Sequence, residues 1–188
     1  MGKILVVTDA WEPQVNGVVT TMTTVVAELR KKNFDVEVLH PGMFHTFPLP
    51  NYPEISVAWN FWDLKKKIRK INPDYIHISV EGPLGITARH FCLEHKLPFT
   101  TAIHTKFPEY VYERYNIGLD VTTGLLKWFH NAAAKTLVNT ISHRDELVES
   151  GFTDLVLWSR GFDKEIFYPA EGGSCLLYTS DAADDVIS

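Results

Sequence analysis

Short apolar runs of strand type alternate with segments of helical period along most of this chain, and that alternation restricts the fold more than any other feature. Lys3 to Thr8 carries a continuous Ile-Leu-Val-Val run, the kind buried on both faces of a sheet. Val18, Val19, Met22, Val25, Val26 and Leu29 then recur at helical spacing behind Asn16, a good N-cap. Arg30-Lys31-Lys32 falls in the last turn, where the helix dipole favours cations. Thr and Val are weak helix formers, so this helix needs a sheet to pack on. Further strands are expected at Phe34 to Leu39, Ile55 to Ala58, Tyr75 to Val80, Pro98 to Ile103, Thr136 to Ile141 and Leu155 to Trp158. Helices are expected over Phe61 to Ile71, stopped by Pro73, then from Pro83 to near His95, and over Thr122 to Ala134. A last helix spans Ser142 to Glu149, with a Ser-x-x-Asp cap and Gly151 as its stop, while Pro41 to Pro53 reads as a Pro-rich loop. Strands alternating with helices predict parallel βαβ units: an α/β fold with a doubly wound, mostly parallel, Rossmann-like sheet.

The 188 residues suffice for one domain with its own core. A net charge of -5 argues against a general nucleic-acid binder, which is usually basic. No apolar run is long enough to span a bilayer, and Met1 to Val7 lacks the apolar region and cleavage site of a signal peptide, so a cytoplasmic location is expected. Cys92 and Cys175 fit neither a metal site nor a disulfide framework, and the histidines show no ligand spacing, so no metal is expected. Composition changes after Pro169, where Gly172-Gly173 punctuates the chain. Ser174 to Asp184 resembles the translated end of a transposon adapter used in sequencing libraries. The expected organisation is a domain over residues 1–169 and a non-native or disordered tail over 170–188.

In an open α/β sheet, ligands bind outside the carboxyl ends of the strands. That rule selects Asp9 to Val18, Glu81 to Gly85, His104 to Tyr110 and Ser159 to Asp163. Asn16-Gly17 opens a helix, where backbone N–H groups either bind an anion such as a diphosphate or are simply capped. His104 ends an apolar strand beside Thr105 and Lys106; it can orient a hydroxyl, donate to a phosphate, move a proton, or serve only as a hydrogen-bonded structural residue. Phe107, Tyr110, Tyr112 and Tyr115 form either a sugar or lipid platform or a small satellite core. Lys65, Lys66, Lys67, Arg69 and Lys70 form one basic cluster close to Phe61, Trp62 and Leu64. It is either a solvated helix face or a patch drawn to anionic lipid.

Taken together, four ordered motifs resemble glycosyltransferase family 4: Thr8-Asp9-Ala10-Trp11-Glu12-Pro13-Gln14-Val15-Asn16-Gly17-Val18, Glu81-Gly82-Pro83-Leu84-Gly85, His104-Thr105-Lys106-Phe107-Pro108-Glu109-Tyr110 and Trp158-Ser159-Arg160-Gly161-Phe162-Asp163. The resemblance covers residues 3 to 169 and is nearest to bacterial GDP-mannose-dependent α-mannosyltransferases. It implies two Rossmann-like domains facing a cleft (the glycosyltransferase B architecture), retention of anomeric configuration, no cofactor and no metal. This chain would be the N-terminal, acceptor-side domain, with the second domain missing. By resemblance, Asn16, Gly17, Val18 and Arg160 would serve the nucleotide-sugar donor, and His104 would act catalytically near the transferred sugar. Asp9, Glu81, Gly82, Lys106, Phe107 and Tyr110 would line the acceptor. Many members carry Gly-Gly where Asn16-Gly17 stands, and Phe162 replaces an expected Val.

The expected activity is transfer of a hexose, mannose from GDP-mannose being the nearest match, to a lipid-linked or saccharide hydroxyl. Its partners would be a nucleotide sugar, a glycolipid or saccharide acceptor and an anionic membrane surface on the inner face of the cell membrane, with no nucleic acid. A sugar-nucleotide epimerase of the same architecture is the other enzyme reading. A non-catalytic acceptor- or lipid-binding module is the third.

Overall fold

The computed structural model describes residues 2–49, 52–104, 119–159 and 161. Its centre is a six-stranded parallel sheet built from β1 (Lys3–Val7), β2 (Asp35–Leu39), β5 (Tyr75–Ile78), β6 (Phe99–Ile103), β7 (Lys135–Val138) and β8 (Leu155–Leu157), in the order β2-β1-β5-β6-β7-β8. The helices are α1 (Gly17–Lys31), α2 (Leu64–Ile71), α3 (Pro83–Glu94), α4 (Leu119–His130) and α5 (Ile141–Glu149). This is the doubly wound, Rossmann-like α/β arrangement that the alternation predicts.

Strand pleating explains why β1 reads as an unbroken apolar run. Successive side chains point to opposite faces. Leu5 and Val7 enter one core with Leu64 and Ile68 of α2 and Leu84, Ala88, Phe91 and Cys92 of α3. Val6 enters the other, against Met22 and Val26 of α1 and Val36 and Val38 of β2. A third cluster joins Ile103 and Val138 to Leu126, Leu147 and Phe152. Each fully buried aliphatic side chain contributes roughly 1.5–3 kcal/mol, which is what holds the Thr- and Val-rich α1 in helical form.

Three local expectations need correction. The Pro-rich loop contains a strand: β3 (Thr46–Leu49) pairs antiparallel with β4 (Tyr52–Ala58) in a separate two-stranded sheet, Phe47 opposite Val57. Pro48 is tolerated because such a ribbon is all edge. The cap of α5 is Thr140, whose hydroxyl accepts from the His143 N–H at 3.3 Å, and not Ser142. Finally, α4 ends at His130, earlier than Ala134, because 131–134 form the turn into β7.

Candidate functional site

The strand order reverses direction between β1 and β5. That switch point opens a crevice at the carboxyl edge, where the loops after β1 and β5 meet beside His104 at the end of β6. Backbone bonding carries the ladder a step beyond the strands: Ser79 N–H donates to the Val7 carbonyl at 2.9 Å, and Thr8 N–H to Leu39 at 3.0 Å. Thr8 Oγ1 then accepts from Ala10 N–H at 3.1 Å, turning the chain sharply and projecting Asp9 toward β5.

Asp9 meets the start of α3. One carboxylate oxygen accepts from Leu84 N–H and the other from Gly85 N–H, both at 3.0 Å. The N-cap of α3 is Gly82, which has no side chain to cap with, so a carboxylate from a different loop satisfies the orphan donors. Both glycines here are needed for space. A Cβ on Gly82 would stand 2.3 Å from Asp9 Cγ, and one on Gly85 would stand 1.9 Å from the Val80 carbonyl oxygen. Burial pushes the Asp9 carboxyl up to about 6 against the pull of the two helix amides, with the nearby Glu81 carboxylate adding to the rise. Of the residues the sequence associates with an acceptor, Asp9 and Gly82 thus interlock as the frame of the crevice, and Glu81 lines it.

A recess of about 160 Å³ lies beside this frame, lined by Val18, Ser79, Val80, Glu81, Ile103, His104 and Leu126. It has room for several waters. His104 stands at the end of β6, partly buried, with Trp158 edge-on to its ring at 6.3 Å between centroids. Its carbonyl accepts from Asn139 Nδ2 at 3.4 Å. His77, inside β5, is held down at about 4 by burial and by the proximity of His104, so it stays neutral near pH 7; its Nδ1 lies 2.9 Å from Thr100 Oγ1. The floor is therefore aliphatic and the walls carry a carboxylate, a hydroxyl and an imidazole. That combination fits a ring with apolar C–H faces and hydroxyl edges.

At the helix entrance, Asn16 Oδ1 accepts from Val18 N–H and Val19 N–H, each at 3.0 Å. Asn16 and Gly17 are exposed, while Val18 reaches the recess. Lys106, Phe107, Tyr110 and Arg160 lie outside the described residues. The basic cluster sits on α2, away from these loops in sequence and packed against α3. Lys65 pairs with Glu94 at 2.7 Å and Lys66 with Asp63 at 3.1 Å; Lys67 lies over Phe44 and Arg69 over Phe91.

Sequence reasoning missed His130. It is 1% exposed, and it ties Glu81 into a buried chain of hydroxyls. At the end of α4, next to Phe129, it reads as an ordinary core histidine, and no spacing marks it out.

A family model described as glycosyltransferase family 4 matches residues 15–166, which takes in the recess and the entrance of α1. The chain belongs to glycosyltransferase family 4. A GDP-mannose-dependent alpha-mannosyltransferase of Corynebacterium glutamicum is 23% identical over 189 residues, spanning 90% of this chain and 45% of that protein. One of Mycobacterium tuberculosis is likewise 23% identical, over 89% of this chain and 50% of its own length. The chain spans about half the length of the curated relatives it matches. Among solved structures, a UDP-GlcNAc 2-epimerase of Methanocaldococcus jannaschii superposes with a TM-score of 0.54 at 12% identity, over 82% of this chain and 46% of that one. The Rickettsia bellii UDP-N-acetylglucosamine 2-epimerase gives 0.53 at 14% identity, over 85% and 45%. At such identities these neighbours speak for the fold alone.

The motifs after β1 and β5 thus meet at one switch point, Asp9 against Leu84 and Gly85, and His104, the first residue of the motif after β6, lines the same recess as Glu81. Among the described residues, no three of His, Cys, Asp or Glu stand together as a cation site.

Proposed function

We propose that this chain is the acceptor-side half of a glycosyltransferase that moves a hexose, mannose from GDP-mannose, onto a lipid-linked or saccharide hydroxyl with retention of configuration and without a metal. The observation that carries the reading is the recess itself, where Glu81 and His104 face an aliphatic floor at the switch point of a family 4 domain. Transfer requires stabilisation of a leaving nucleotide diphosphate and of positive charge on an oxocarbenium-like sugar. The amino end of α1 suits the first task. An incoming phosphate there would engage Gly17 or displace the Asn16 side chain from the Val18 and Val19 amides. His104 suits positioning of the reacting groups, since it ends a strand at the recess wall.

The full-length protein should transfer label from GDP-mannose to lipid or saccharide acceptors. Replacement of His104 by Ala should lower turnover about a hundred- to a thousandfold, the usual loss for one positioned donor in a desolvated site. His104→Gln keeps a donor that cannot titrate; recovery of activity with Gln would assign orientation and not proton transfer. Full turnover by His104→Ala at saturating substrates would remove the catalytic role. Interconversion of UDP-GlcNAc and its 2-epimer in place of transfer would select the epimerase alternative, whose support is the fold likeness. Glycoside binding by the full-length protein with neither reaction would select the non-catalytic module.

A surface feature favours a membrane as the second partner. Trp59 and Trp62 are 51% and 52% exposed, stacked edge to face 5.5 Å apart, with Phe61 against Trp62. Trp62, Lys66 and Lys70 follow at intervals of four along the helical run. Aromatic rings beside cations suit the headgroup layer of an anionic leaflet, and this supports a peripheral position on the inner face of the cell membrane. No described helix is long and apolar enough to cross a bilayer.

A further inference from the structure

Glu81 is held from behind. His130 Nε2 lies 2.8 Å from its Oε1. The other ring nitrogen, Nδ1, lies 2.9 Å from Thr101 Oγ1, which is 2.9 Å from Thr136 Oγ1, and Thr136 Oγ1 donates to the His130 carbonyl at 3.4 Å. The threonines are wholly buried, in β6 and β7. The imidazole is also packed edge-on by Phe129 and tilted against Phe152. It can neither rotate nor leave without breaking this ring of bonds.

A histidine with both nitrogens engaged would serve a core equally well. What a core role does not explain is the direction of the chain. Nε2 reaches out of the core to a carboxylate that is 22% exposed and lines the recess. A carboxylate only accepts, so Nε2 carries a hydrogen. With Oε1 committed to His130, the remaining lone pairs of Glu81 are offered to whatever enters the recess. A sugar hydroxyl can donate to them. A nucleotide diphosphate, ionised near neutral pH, brings only acceptors and a like charge, and Asp9 adds a second carboxylate close enough to feel Glu81.

We propose that His130 is a positioning residue that presents the Glu81 carboxylate to a hydroxyl of a neutral sugar in the recess, and that Glu81 turns this part of the crevice against anionic groups. The inference rests on the transferase reading for which sugar enters, but not for the geometry. It assigns the neutral ring to the Glu81 wall and leaves the nucleotide diphosphate to the entrance of α1.

The test uses the full-length protein and ligand-observed saturation-transfer NMR with methyl α-D-mannoside as probe, and inorganic phosphate as a second probe. Two near-isosteric substitutions separate the contacts of His130. His130→Gln places an amide N–H where Nε2 was, and keeps the bond to Glu81. His130→Asn places its carboxamide where Nδ1 was, and keeps only the bond to Thr101. Glu81→Gln and His130→Asn should each weaken glycoside binding about tenfold or more, the usual loss for a hydrogen bond to a charged group. The double variant should be no worse than Glu81→Gln alone, and His130→Gln should stay close to wild type. Phosphate binding should be undiminished in every variant. The proposal is overturned if His130→Asn binds like wild type, if Asn and Gln lose binding equally (a purely structural role), if phosphate binding is weakened by Glu81→Gln, or if the wild type does not bind the glycoside. A protein that binds the glycoside in this pattern yet transfers no sugar would refute the transferase reading and leave the present one standing.

Discussion

Gly82 and Asp9 interlock so closely that one methyl group should unseat the crevice, and the cost can be worked out from the contacts. In Gly82→Ala, the new Cβ would sit 2.3 Å from Asp9 Cγ, 2.6 Å from Oδ2 and 2.7 Å from Cβ. These atoms are the base of a short side chain, so a small torsional adjustment cannot clear them. Asp9 must rotate away, and Leu84 N–H and Gly85 N–H then lose their acceptor. Each hydrogen bond to a charged group is worth about 1.5–3 kcal/mol, so the substitution should cost about 3 kcal/mol or more. For a chain of this size that corresponds to roughly 6–12 °C in Tm. Asp9→Ala loses the same bonds but also relieves a carboxylate that burial penalises, so it should cost only about 1–2 kcal/mol, the range for loss of a helix cap. The double variant has nothing to clash with. It should match Asp9→Ala within about 0.5 kcal/mol, which makes the coupling between the two sites roughly 3 kcal/mol. Urea unfolding followed by circular dichroism gives all four corners of the cycle. Additive costs, or a Gly82→Ala variant as stable as wild type, would show that the methyl is accommodated by backbone movement and that Asp9 does not frame the crevice.

Gly85→Ala should be harsher, because its Cβ would meet the backbone carbonyl of Val80 at 1.9 Å, and no rotamer relieves a main-chain clash; we expect little soluble folded protein, and a yield and melting point equal to wild type would contradict the geometry. The Asp9 carboxyl, raised from 3.8 to about 6, binds its proton more tightly in the fold than in the unfolded chain. Its contribution to stability is therefore fully present below about pH 4 and lost as pH rises to about 6, a swing of roughly 3 kcal/mol that Asp9→Asn should abolish in unfolding curves measured across that window. For the surface formed by α2 and the turn before it, Trp59→Ala with Trp62→Ala should weaken pelleting with phosphatidylglycerol vesicles at any salt, whereas Lys66→Glu with Lys70→Glu should weaken it at low salt only; pelleting unchanged in both would leave the patch without a membrane role.

How much of this site is legible in the sequence depends on the distance over which each feature is encoded. The Asn16 cap and the buried β1 run are local, and a window of a few residues suffices to read them. The β3–β4 pairing is also local but hidden: Pro41, Pro48 and Pro53 signal a loop, and only the ladder that sets Phe47 opposite Val57 shows that two of these prolines, Pro48 and Pro53, sit within strands. The Asp9 cap of α3 spans 75 residues, and the links from His130 to Thr101 and Glu81 span 29 and 49. No periodicity encodes such links, because they depend on which strands are neighbours.

Strand order is what decides them. The chain could have returned β5 to the far side of β2, and every apolar pattern in it would read the same. Because β5 pairs instead with β1, Ile4 opposite Tyr75 through Val7 opposite Ile78, the loops that begin at Thr8 and Ser79 emerge side by side. Asp9 then reaches the amino end of α3, and Gly82 must lack a side chain to let it in. β6 follows next to β5 and β7 next to β6, which puts Thr101 and Thr136 in register beneath His130 and carries the polar chain up to Glu81. The glycine at position 82, the buried histidine at 130 and the carboxylate that faces the recess are thus consequences of one pairing choice, made at the point where the sheet changes direction.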